Sequence, residues 1–228
     1  MRKRKGIMIV TALAMVCVLA VGISLAMLKD VTETAENTFA STKDISIVLR
    51  EPAWDGYDFT DDEWGKGKTI NPDAANPDAL GLSIARNYVP GDQVPKNPVI
   101  KNQTEPASID AYVALKVEFI DTSVSPAAEM TYEEFAAKYG TIVFDTESWK
   151  LISDDSASQL YQYNTVLEAG ATTEAHKLFD EVVLNKTIEP DASGKMPSFN
   201  IKVTAYAVQA KNVNAADAAT ELLELAGF

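Results

Sequence analysis

The residues best placed to do chemistry are five carboxylates crowded into one stretch: Asp55, Asp58, Asp61, Asp62 and Glu63. Carboxylates at short spacing on a glycine-containing loop can ligate Ca2+, a hard cation that takes about six to eight oxygens. Their spacing matches no EF-hand, so a run of solvated loop acids is the alternative. His176 is the only histidine and therefore the only imidazole base. It lies in a polar Thr-Thr-Glu-Ala-His-Lys stretch, which reads as a solvated turn and not as the base of a Ser–His–acid triad. One histidine cannot supply the two imidazoles of a His-Glu-x-x-His zinc helix. Gly67-Lys68-Thr69 resembles the end of a phosphate-binding loop, but Asp62 stands where the first glycine must be, among acids that would repel a triphosphate. Gly81-Leu82-Ser83-Ile84-Ala85 lacks the second glycine of a nucleophile elbow. Trp54, Trp64 and Trp149 read as core plugs. These patterns assign no catalytic residue and no cofactor, with Ca2+ the one candidate ion. The chain reads as non-enzymatic, and a protease using the acidic loop and His176 is a rival.

Composition narrows the partners. Of 228 residues, 33 are acidic and 20 basic, a formal net charge of −13. Affinity for nucleic acid rests on Lys and Arg releasing counterions from phosphates, so no nucleic-acid partner is expected. A single Cys and a single His exclude a disulfide scaffold and a Cys/His zinc module. Hydrophobic residues make up 46%, enough to build a core.

The first residues depart from this average. Arg2, Lys3, Arg4 and Lys5 precede an uncharged apolar run from Gly6 to Leu28. That is the pattern of an export signal over residues 1–26, with Ser24 and Ala26 at −3 and −1 of a cut after Ala26. A retained anchor is the alternative, because 23 uncharged residues approach the roughly 20 that a spanning helix needs. On both readings the remainder is outside the cytoplasm, secreted or at the cell surface, and only an uncleaved leader would touch membrane. Cleavage removes four basic groups and Cys17, leaving a cysteine-free chain with 16 basic groups against 33 acidic ones and a net charge of −17.

The elements that must position any site follow from periodicity and punctuation. Residues 27–44 are polar and read as an extended N-terminal segment whose apolar foothold is Asn37-Thr38-Phe39. A domain over 45–228 begins with a strand at Ile45, Val48 and Leu49, closed by Glu51-Pro52. Residues 53–88, with scattered glycine and proline, read as a long loop. Pro95 and Pro98 demote Val94–Lys101 to an edge strand. Val113, Leu115, Val117 and Phe119 alternate with Tyr112, Ala114, Lys116 and Glu118, which marks a strand with the first set inward. Thr131 caps a short helix with Phe135 on its inner face, stopped by Gly140. Short strands are expected at Ile142–Phe144, Trp149–Leu151, Leu160–Leu167 and Glu181–Lys186, and a long one at Phe199–Gln209. Asn214 caps a C-terminal helix over 215–225, ended by Gly227. About eight short strands and one or two short helices predict a mainly β fold, a β-sandwich or jelly roll.

An ordered set of segments is similar to the camelysin/TasA family of exported proteins from Gram-positive bacteria. It runs from Asn37-Thr38-Phe39 through Ile45 to Leu49, Glu51-Pro52-x-Trp54-Asp55 and Pro90-Gly91-Asp92-x-Val94-Pro95-Lys96-Asn97-Pro98 to Ile109-Asp110-Ala111-Tyr112-Val113. Trp149, Tyr161-x-Tyr163, Leu167-x-x-Gly170, Leu178-Phe179, Phe199-x-Ile201 and Thr204-Ala205-Tyr206-Ala207-Val208-Gln209-Ala210 complete it. The resemblance implies a jelly-roll subunit, released by a SipW-type signal peptidase, that self-assembles into fibres of the biofilm matrix or cell surface. It also implies that the N-terminal segment of one subunit adds a strand to the next. Some members carry a metalloprotease label, for which this sequence holds no zinc-ligand pattern. A monomeric adhesin or binding module is the main alternative.

Overall fold

The computed structural model describes residues 29–32, 45–57, 59, 77–104, 108–155 and 157–228. The first half of the chain contributes β1 (Lys29–Thr32), β2 (Ile47–Arg50), α1 (Pro52–Asp55), α2 (Gly81–Arg86), β3 (Gln93–Pro95) and β4 (Val99–Asn102). Next come β5 (Ala111–Asp121), β6 (Ala128–Met130), α3 (Tyr132–Lys138), β7 (Gly140–Ile142), β8 (Trp149–Asp155) and β9 (Ser158–Tyr163). Last are β10 (Glu181–Leu184), β11 (Phe199–Gln209) and α4 (Ala215–Ala226). The fold is mainly β, and every strand pairing among the described residues is antiparallel.

The two long alternating stretches make the centre. β5 and β11 pair along their whole length, from Ala111 opposite Gln209 to Asp121 opposite Phe199. They sit inside a sheet of order β1-β11-β5-β9-β8, with β6 added at the far end of β5. Facing this sheet are the β3-β10-β7 sheet and the β2-β4 pair. Ile47, Leu49, Val94, Ile100, Ile142, Val182 and Leu184 from the second layer share one core with Val113, Leu115, Val117, Phe119 and Val203 from the first. The predicted inward set of β5 is fully buried. Phe119 stacks on Phe135 with ring centroids 4.7 Å apart, so the short α3 is pinned by aromatic contact as well as by its capping box of Thr131 and Glu134.

The predicted outward set of β5 is only partly outward. Tyr112 and Ala114 are covered by α4, whose Ala218, Leu222 and Ala226 pack with Leu160, Tyr206 and Val208 in a second apolar cluster. Asn214 caps α4 by accepting from the amides of Ala216 and Asp217, and Gly227 ends it, as the sequence predicts. Lys116 donates to the carbonyl of Ala226 at 2.9 Å and lies over the Phe228 ring, tying the helix end to the sheet.

Three expectations are corrected. Both ends of the loop predicted over 53–88 carry helix, α1 and α2, with a 3-10 turn at Pro77–Ala79. Gly140 does not terminate α3 as a left-handed cap. It opens β7, where a Cβ would meet the Val183 carbonyl oxygen at 2.5 Å, so the close strand contact requires glycine. The strand predicted over Ile142–Phe144 ends at Ile142, and Val143 is 82% exposed. Within the N-terminal segment read as extended, Lys29–Thr32 is a strand paired with β11. The split of Val94–Lys101 into β3, at a sheet edge, and β4 follows the two prolines.

Candidate functional site

At the Phe199 end of β11 the two layers part around a cavity of about 570 Å3. Leu49, Val94, Val182 and Leu184 wall one side, and Phe199, Ile201 and Val203 the other. Trp54, Ala85 and Tyr88 complete the apolar lining, and Arg50, Glu51, Asp55, Lys96 and Lys202 bring charge to it. A concave apolar site with a few placed polar groups is the usual form of a binding site.

Local sequence explains why these side chains converge. Pro52 sits in the first turn of α1 with its fixed φ, and Gly56 ends the helix at φ 83°, so a single turn holds Trp54 against the core. Gly81 opens α2 where a Cβ would lie 1.8 Å from the Pro95 carbonyl oxygen and 2.7 Å from the Trp54 ring; only glycine allows that approach. Ala53 donates to the Asn97 side chain at 2.6 Å, and the Tyr88 hydroxyl donates to the Pro197 carbonyl.

The charges are mostly spoken for. Lys96, 6% exposed, donates to both carboxylate oxygens of Glu51 at 2.7 Å and stands 5.0 Å above the Trp54 ring. Burial pushes the Asp55 carboxyl above its ordinary pKa, a shift that the Tyr57 amide and the charges of Arg50 and Lys96 only partly offset. Below the cavity end of β11, burial raises the Asp121 carboxyl, but Lys138 at 2.6 Å, the Ser123 hydroxyl and amide, and the Tyr139 hydroxyl outweigh it. The carboxyl is held well below the usual range.

Beside the cavity, where β2 also lies against β11, part of the β11 edge has no hydrogen-bonded strand partner among the described residues. β1 pairs with Ala205–Val208 only, in the register Lys29–Val208 to Thr32–Ala205. The part without such a partner is Phe199–Thr204.

Of the five candidate Ca2+ ligands, only Asp55 is described. Its Oδ1 accepts from the Tyr57 amide at 3.0 Å, and Asp58, Asp61, Asp62 and Glu63 lie outside the described residues. The cleavage residues Ser24 and Ala26 and the assembly residues Asn37, Thr38 and Phe39 lie outside them too. Among the described residues no group of three or more His, Cys, Asp or Glu side chains is placed to hold a metal, and no helix is long and apolar enough to cross a membrane. His176 is exposed on a 3-10 turn, as its polar surroundings predict. Its Nδ1 lies 3.2 Å from the Ser148 hydroxyl, a proximity the sequence did not indicate. Asp145 accepts from the amides of Ser148 and Glu147, so the acid supports the serine turn and not the imidazole. A relay needs the reverse arrangement.

Trp149 is a core plug, 1% exposed, with its indole N–H on the His176 carbonyl at 2.8 Å. Trp54 is half-buried at the cavity, and Trp64 lies outside the described residues. Sequence reasoning missed the cavity because Phe199, Ile201 and Val203 alternate like the buried Ala205 and Ala207. The break in side-chain size between Val203 and Ala205 is the one available signal.

No protein-family model, no curated protein and no solved structure matches this chain. Fold and site define it as a layered antiparallel β protein with an apolar cavity beside one end of its longest strand pair.

Proposed function

We propose that this chain is an exported structural subunit that assembles by strand addition into extracellular fibres, of a biofilm matrix or cell surface, once its leader is removed. The observation that carries the reading is the pairing of β1, only three residues past the proposed cut, with an edge of β11 that continues beyond it. A segment freed by a SipW-type peptidase and already able to form that pairing supports a donor role. Resemblance to the camelysin/TasA segments supports the same reading and brings with it the jelly-roll connectivity. No enzymatic step and no cofactor enters it, and Ca2+ at Asp55, Asp58, Asp61, Asp62 and Glu63 would act only as a structural ion.

Purified residues 27–228 are expected to form fibres or strand-linked oligomers by electron microscopy and light scattering, and deletion of residues 27–42 to leave monomers. If both proteins stay monomeric across salt, pH and Ca2+ titrations, the subunit reading fails. A monomeric surface adhesin is the second reading, favoured by the apolar cavity. A monomeric scattering profile together with binding to a glycan or matrix protein would select it.

A further inference from the structure

The cavity holds more charge than its walls call for. Those walls are aliphatic and aromatic, yet Arg50, Glu51, Asp55, Lys96 and Lys202 all reach the lining. Each cation is matched by an acid. Lys96 donates to both oxygens of Glu51, Lys202 lies 3.0 Å from Glu118, and the Arg50 charge acts on Asp55. A charged guest would give up its hydration and meet charges that are already balanced. An uncharged guest gives up only the water beside its apolar surface.

Asp55 keeps acceptor capacity toward such a guest. Its Oδ1 accepts from the Tyr57 amide, and a carboxylate has room for about four hydrogen bonds. Burial costs this group more than its neighbours return, which is why its pKa lies above the ordinary value. The Tyr88 hydroxyl is not available to relieve it, because that hydroxyl donates to the Pro197 carbonyl. A guest hydroxyl supplies a donor without adding a charge.

Size sets the rest of the guest. A dry apolar cavity of about 150 Å3 holds one benzene. The space here, about 570 Å3, lies within the roughly 300–1,000 Å3 of small-molecule sites and takes a chain of about ten carbons. Leu49 and Val94 on one side and Phe199 and Ile201 on the other give that chain apolar contact. We propose that the cavity binds an uncharged amphiphile: a medium-length alkyl chain lying between β2 and β11, with a terminal hydroxyl on the Asp55 carboxylate. The inference stands on the cavity and is independent of the assembly reading above.

The test titrates the full chain with 1-decanol by calorimetry, beside decanoate, decyltrimethylammonium and decyl methyl ether, all below the concentrations at which they aggregate. Decanol is expected to saturate one site with a dissociation constant on the order of tens of micromolar. The two charged probes should bind at least about tenfold more weakly for want of an unmatched charge, and the ether about tenfold more weakly for want of its O–H. Absence of saturable decanol binding overturns the proposal. So does decanoate, the ammonium or the ether binding as tightly as decanol. Ala85→Phe places a ring in the cavity and should weaken decanol binding at least about tenfold, with a melting temperature within a few degrees of the parent. The apolar leader is common to both chains, so the difference reads the cavity. Undiminished binding by the folded variant puts decanol elsewhere and overturns the site. Asp55→Leu keeps the proposal falsifiable if Ala85→Phe does not fold: it should weaken decanol about tenfold and leave the ether unchanged. Equal losses for the two probes would reduce Asp55 to a piece of wall and overturn the place given to the hydroxyl.

Discussion

The two halves of β11 are built from similar residues and held by different forces. From Val203 to Val208 every residue is buried, with β1 on the edge, β5 alongside and α4 over the outer face. From Phe199 to Lys202 burial alternates between half and none, and the cavity replaces the packed layer. That end is held by Phe199 stacking on Tyr139 and packing on Phe135, and by polar contacts: the Glu51–Lys96 pair across the cavity wall and Asp121 held by Lys138 and Ser123 at the strand end opposite Phe199. Apolar burial is indifferent to pH and scales with area removed from water, whereas ion pairs depend on protonation and are screened in proportion to exposure. One strand thus carries an end buried on every side and an end that borders a cavity.

The sharpest way to break this contrast is to damage the closed half. Leu222→Ala removes a fully buried side chain from under α4 and should cost about 3 kcal/mol in denaturant unfolding, with the same cost at acid and neutral pH. A loss under about 1 kcal/mol would mean that α4 is not what seals the outer face. Glu51→Gln leaves the buried Lys96 charge without its carboxylate and should cost about 2 kcal/mol, less than for a wholly buried pair because Glu51 is 18% exposed.

Asp121→Asn tests the pH sensitivity of the open end. The folded carboxyl lies below its ordinary value, so the stability it adds is complete above the unfolded value near about 4 and is lost as pH falls through the folded one. Near neutral pH the variant should be less stable by about 1.5 kcal/mol, carried mainly by the lost Lys138 hydrogen bond, since the amide oxygen of the variant can still accept from Ser123; the half exposure of Lys138 keeps the figure modest. That gap should narrow steadily between about pH 5 and about pH 2; a gap that stays constant would remove Asp121 from the account. Ile201→Ala is expected to have the smallest effect, about 1 kcal/mol, because the half-buried side chain packs on the core on one side and borders the cavity on the other. A larger loss would show that the open half is as closely packed as its neighbour.

Much of the frame was legible in the residues themselves. Period-two alternation located β5 and β11, with the bounds of β11 matching to the residue. Thr131 and Asn214 announced their helices because a side-chain cap is satisfied by neighbours two or three positions away. Pro95 and Pro98 marked Val94–Lys101 as a sheet-edge segment by removing backbone donors, but not its division between two sheets. The candidate site was much less legible. Trp54, Lys96 and Phe199 stand far apart in sequence, and each looks ordinary where it stands. Lys96 stands within the segment read as an edge strand, yet it is among the most buried charges of the fold, and its partner Glu51 is 45 positions away.

What the amino-acid order decided was local: where the chain alternates, caps, turns and breaks, since those preferences arise among residues within a few positions of one another. Which face of β5 would gain a helix, that Lys29–Thr32 would reach the edge of β11, and that the other end of β11 would border a cavity were decided by the tertiary structure. Those outcomes depend on how much surface each layer can cover once the layers meet. Coverage is a property of the assembled shape and is written in no single segment.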